Sequence, residues 1–141
     1  MKRKLPAFAG AAAAGAAMGL LAVTGCSPPS PQENVSQACA ASDAMASAIE
    51  EFRAALSADA TVEEVRTARD KVSDAYDTLT AEMEDVAEDR VNDLEANVDE
   101  FRSAVDQVPD DAQLSDALES LGNEASDVRT ALDGVDSDLN C

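Results

Sequence analysis

The sequence predicts an all-α protein: an antiparallel helical hairpin or three-helix, coiled-coil-like bundle arranged around a long central helix. Three observations carry that expectation. Between Pro31 and Pro109 the chain holds neither glycine nor proline over 77 residues, and those two residue types are the main breakers of helices. The same stretch is rich in Ala, Glu, Asp and Arg, which suit helix interiors or helix starts. Apolar residues recur in steps of three, four or seven, the spacing that gathers one face of a helix against a partner.

The first helix is expected over 34–57, with Asn34 as its cap and Gln37 three residues on. Its apolar stripe is Val35, Ala38, Met45, Ile49, Phe52 and Leu56. The second is expected over 61–107. It opens at Thr61, where Glu64 completes a capping-box pattern in which each residue satisfies the other's backbone N–H. This segment carries two heptad blocks. Val65, Val72, Tyr76, Leu79, Met83 and Val86 form one; Val91, Leu94, Val98, Phe101, Val105 and Val108 form the other. The phase slips by one residue between Val86 and Val91, as a coiled-coil stutter or a break that folds the helix back would produce. With no Gly or Pro at the slip, the sequence favours one continuous helix. The third helix is expected over 111–139, after Val108-Pro109-Asp110, with Asp110 or Asp111 as cap. Its stripe runs Leu114, Leu118, Leu121, Ala125, Val128, Leu132, Val135 and Leu139, a period of 3.5 that calls for packing by heptads.

The N-terminus reads as an address. Lys2, Arg3 and Lys4 precede an uncharged run from Leu5 to Val23 that is dominated by Ala, Leu, Met and Gly, and the run ends in Val23-Thr24-Gly25-Cys26. A charged start followed by an apolar run is the layout of an export signal. The tetrapeptide resembles the lipobox of bacterial lipoproteins. The resemblance implies a diacylglycerol on the Cys26 thiol, with palmitate-type chains, and removal of residues 1–25. It further implies a location at the cell membrane, lipid-anchored on its extracytoplasmic face. Residues 26–33, with Ser27-Pro28-Pro29-Ser30-Pro31, are expected to form a stiff linker of about 25 Å. The domain proper is then 34–141. The alanine-rich signal and the Asp-rich, Lys-poor remainder resemble small lipoproteins of actinobacteria, a resemblance of style that carries no activity with it.

Charge narrows the partners. All 29 acidic residues lie beyond residue 25, against seven basic ones: Arg53, Arg66, Arg69, Lys71, Arg90, Arg102 and Arg129. The processed chain therefore carries a formal −22, more negative than the −19 of the whole sequence. Such a surface repels nucleic acid and anionic headgroups, so contact with the membrane rests on the lipid at Cys26.

The cysteines follow from the same processing. Of the three, Cys26 is taken by the lipid, and Cys39 and Cys141 remain as an even pair, expected as a disulfide outside the cytoplasm. Helix lengths point the same way. If the first and third helices both run antiparallel to a long second helix, Cys39 falls opposite about residue 79 and Cys141 opposite about residue 76. At 1.5 Å per residue these levels differ by only about 5 Å.

Little in the composition suggests catalysis. There is no His and no Trp, and only one Tyr, so a Ser-His-Asp or Cys-His arrangement is impossible. Carboxylate pairs such as Glu84 with Glu88 read as solvated helix face. No metal site and no cofactor are expected. The tail from Asp133 to Asn140 sets oxygen ligands at alternate positions, as calcium loops do, but lacks the glycine position and closing Glu of an EF-hand. The overall expectation is a non-enzymatic, membrane-anchored helical module that serves as a spacer or interaction domain of the cell envelope, with an envelope protein as its partner. The competing expectation is a lipoprotein that binds a small ligand, a cation or a lipid in the helical seam, and a third is a helper subunit of a larger envelope complex.

Overall fold

Helix ends in this protein are set by short-range chemistry. In the computed structural model, which describes residues 30–84 and 91–141, α1 spans Pro31–Ala55 and α2 spans Val62–Met83. The remaining two are α3 over Asn92–Asp106 and α4 over Leu118–Leu139. A 3-10 turn, Leu114–Asp116, precedes α4. The described residues form no strand, and the helices pack against one another as a bundle.

The start of α1 lies earlier than the sequence suggested. Ser30, not Asn34, is the cap: the Glu33 N–H donates to the Ser30 hydroxyl at 3.3 Å, and the Ser30 N–H donates to the Glu33 carboxylate at 2.8 Å. Pro31 then sits at the first helical position, where its missing donor costs nothing and its fixed φ suits the helix. The expected linker of residues 26–33 shortens accordingly, because Pro31–Glu33 belong to the helix. At α2 the capping box falls where it was expected. The Glu64 N–H donates to the Thr61 hydroxyl at 3.2 Å, and the Thr61 N–H donates to Glu64 at 2.8 Å.

The principal correction concerns the central helix. Segment 61–107 is two helices, not one, and α3 lies antiparallel to α2 and in contact with it. Ion pairs and hydrogen bonds record the register. Arg66 pairs with Asp110, and Arg69 with Asp106 at 2.6 Å. Further along, Arg102 donates to Ser73 at 2.8 Å and to Asp77 at 3.3 Å. Val86 and the Glu88-Asp89-Arg90 slip lie outside the described residues. Burial supplies the physical reason. Val65, Val72, Leu79 and Met83 on α2, with Leu94, Val98, Phe101 and Val105 on α3, are all essentially inaccessible. A single rod covered by one neighbour along each half would leave the flanks of both stripes wet. Folding it in two gives each stripe more than one neighbour and buries more apolar area.

Among the described residues the result is an up-down-up-down bundle of four helices. Helix α4 runs antiparallel to both α3 and α1, since Arg53 donates to Ser126 at 2.5 Å while Ser42 bonds Asp136. The third expected helix is also trimmed. Neither Asp110 nor Asp111 caps it: α4 starts at Leu118, and Asp110 is engaged by Arg66 across the α2–α3 interface. Arg66 also donates to the Val108 carbonyl at 3.0 Å, holding the chain before Pro109. The 3-10 turn then drives Leu114 into the core, where it is 3% exposed. Each stripe contributes to one continuous apolar cluster. Within it Phe52 and Phe101 meet edge to face, ring centroids 4.6 Å apart.

Candidate functional site

Two regions of this bundle combine unusual residues with defined geometry: the end where the chain enters, and a groove at the opposite end.

The entry end is closed covalently. Cys39 on α1 and Cys141 at the chain end form a disulfide, with Cα atoms 5.6 Å apart. The end of α4 brings Cys141 there. Asn140 takes the left-handed conformation, φ 59°, which Asn tolerates better than most side chains. The Cys141 N–H then donates to the Asp136 carbonyl and the Asn140 N–H to that of Ser137, a Schellman-type ending. The pair is the expected one, but the route to it differs. The sequence count set the first and third helices end to end along a long rod. In the folded bundle α4 lies beside α1, and the two cysteines meet because the helices are antiparallel and of similar length.

One turn inside the disulfide, Ser42 is the one buried polar residue among the described residues, fully enclosed. Its hydroxyl donates to the carboxylate of Asp136, which satisfies a group that would otherwise be costly to bury. Sequence reading passed over this contact, although a signal was present. The α1 stripe steps from Ala38 to Met45, and the position missing between them is Ser42. The tail Asp133–Asn140 is not a loop: α4 continues through it to Leu139, with Val135 and Leu139 in the core. Its oxygens are therefore spread around a helix, and no group of three or more Cys, Asp or Glu able to hold a metal occurs among the described residues. Cys26 and Glu88 lie outside the described residues; Glu84 is exposed at the end of α2.

Tyr76 lies between α2 and α3, 8% exposed, with the Arg102 guanidinium 5.3 Å from its ring centroid. Burial raises its phenol above the usual range, and the nearby Glu95 and Asp99 charges push the same way while Arg102 opposes them. Tyr76, Phe52 and Phe101 all serve the core, as their stripe positions implied.

At the far end, the end of α3, the start of α4 and the 107–117 connection line a solvent-open groove of about 810 Å³. Its apolar lining is small, from the buried or half-buried Ala104, Val108, Ala112 and Ala117 with the exposed Pro109 beside them. Carboxylates of Asp99, Glu100, Asp116 and Glu124 line it, and no Lys or Arg does. Two other surface depressions include a cation, Arg129 or Lys71. No described helix is long and apolar enough to cross a membrane.

Comparison of the chain with protein-family models, with curated proteins and with solved structures finds no match.

Proposed function

We propose that this protein is a lipid-anchored, extracytoplasmic module of the bacterial cell envelope that works by holding or contacting another protein rather than by catalysis. The observation that carries the reading is the N-terminal sequence: Lys2-Arg3-Lys4, an uncharged run and Val23-Thr24-Gly25-Cys26 in the order of a lipoprotein signal. The domain supports it in two ways. Helix α1 begins one residue after its cap Ser30, so only four peptide links separate Cys26 from the cap. They span at most about 14 Å when fully extended, a shorter tether than the proline-rich segment suggested. The bundle interior, moreover, is filled by apolar side chains, with Ser42 its one buried polar residue among those described. That leaves the surface rather than a central cavity as the place of action, and it weakens the alternative of a ligand carried in the helical seam.

The experiment is intact-mass and peptide mass spectrometry of the protein extracted from bacterial membranes. The expected product begins at Cys26 and carries a diacylglycerol there, and Cys26→Ser is released from the membrane fraction. A soluble product whose N-terminus is not Cys26 overturns the anchor. The interaction role is tested separately, by pull-down from membranes with the lipidated protein against the Cys26→Ser version. No reproducible partner, together with a small molecule retained in native mass spectrometry, would favour the ligand-binding alternative.

A further inference from the structure

We infer that the groove between α3 and α4 is a docking site for a basic, amphipathic polypeptide segment of an envelope partner. The inference rests on the reading of this protein as an interaction module and specifies the chemistry of its partner.

Position comes first. The disulfide and the Ser30 cap mark the end of the bundle nearest the tether, and α4 runs away from it for 22 residues, roughly 33 Å at 1.5 Å per residue. The groove lies at the start of α4 and the end of α3, the end a partner meets first. Shape comes second. A trough of about 810 Å³ is within the range of ligand sites, but it is open to solvent rather than enclosing. Its lining of alanines lets a second backbone approach closely, as when an amphipathic helix lays its apolar face into a groove.

Charge decides the class of partner. Five of the six described cations are held by carboxylates outside the groove, Arg53 by Glu50, Arg66 by Asp110, Arg69 by Asp106, Lys71 by Glu51 and Arg129 by Asp133, while Arg102 pairs with Asp77 and with one groove carboxylate. Of the groove carboxylates, Asp99 faces Arg102 at 3.6 Å. Glu100, Asp116 and Glu124 have no ion-pair partner among the described residues. An apolar lining between unneutralised carboxylates complements lysines or arginines flanking an aliphatic stripe. A second copy of this chain fits poorly, because both would bring a strongly negative surface to the contact. The carboxylates are not gathered tightly enough to hold a metal ion, which leaves a segment long enough to reach several of them.

The test uses full-length protein in nonionic detergent and a synthetic helical peptide of Leu, Ala and Lys carrying one Trp. The chain has no tryptophan, so the indole emission reports on the peptide alone. Binding with a blue shift is expected, weakening as salt rises. The triple variant Glu100→Gln, Asp116→Asn, Glu124→Gln should weaken it at least about tenfold. The control Asp43→Asn, Asp74→Asn, Asp127→Asn removes equal charge elsewhere and should change it less than about threefold. Ser120→Phe, which fills the groove from an exposed position without altering charge, should abolish the blue shift. The inference is overturned by equal weakening in the two triple variants, by an unaffected Ser120→Phe, or by equal binding of a Glu-for-Lys peptide. Spermine competing as well as the peptide would likewise replace docking by plain ion attraction. A membrane partner recovered equally well by the groove variants would refute the groove while leaving the interaction module standing.

Discussion

Replacing both Cys39 and Cys141 by alanine should lower the stability of the bundle by about 3–5 kcal/mol, most of it through the unfolded state. The magnitude follows from the loop the bond closes. The two cysteines are 102 residues apart, and for a loop of that length the chain-entropy relation gives about 4.7 kcal/mol at 25 °C. The native state loses little in exchange, because Cys141 is exposed and Cys39 only half-buried, so alanine leaves no sizeable cavity. For a domain of this size the loss corresponds to a fall in Tm of roughly 10–20 °C. The assay is urea unfolding followed by far-ultraviolet ellipticity, oxidised wild type against the double variant. A second signature comes with it: an uncrosslinked unfolded chain is more expanded and exposes more surface, so the m-value should rise in the variant. A loss below about 1 kcal/mol with an unchanged m-value would refute the reasoning, because it would mean the bond does not restrain the unfolded chain.

Phe52 is fully buried and meets Phe101 edge to face, so Phe52→Ala should cost about 3–5 kcal/mol in the same unfolding assay. Gly134 lies inside α4 with nothing within 4 Å of where a Cβ would stand; Gly134→Ala should raise stability by roughly 0.5–1 kcal/mol, read as a higher urea midpoint at unchanged m. The Glu64 carboxyl titrates below its ordinary value because the Thr61 N–H, and then the Thr61 hydroxyl, donate to it. A depressed folded-state pKa gives stability that is full above the unfolded value near 4.5 and is lost as pH falls through the folded one. The stability gap between wild type and Glu64→Gln, followed in urea from pH 7 to 3, should therefore narrow as pH falls below about 4.5; a gap that stays constant over that range contradicts the assignment. Raising ionic strength at pH 7 should stabilise the bundle, because salt screens the repulsion among its excess carboxylates.

Much of the architecture was legible because it is written in local chemistry. The Thr61–Glu64 box, the stripe from Leu121 to Leu139 and the stripes at 65–83 and 94–108 depend on neighbours within a few turns, and they were read at the right positions. Ser30 was missed as a cap because the prolines around it suggested an extended linker, whereas Pro31 is tolerated at the first helical position. The cysteine pair was legible by count, whereas the helix-length argument reached it through a rod arrangement that the bundle does not have. The groove was not legible, since its lining comes from residues of α3, α4 and their connection that no single periodicity links.

By itself, then, the sequence determined the helical class, the residues that face the core and the pairing of Cys39 with Cys141. Each of these follows from spacing along one helix or from parity, and neither depends on how helices are arranged. Only the tertiary structure decided that the segment from Thr61 to Gln107 doubles back, making four helices where three were expected. A one-residue phase slip is compatible with a stutter in a rod or with a reversal. The choice between them turns on how much of both stripes neighbouring helices can cover. Antiparallel packing of α3 on α2, with α1 and α4 alongside, brings residues as far apart as Leu79 and Leu94 to 0% exposure, a gain in burial that no local pattern records.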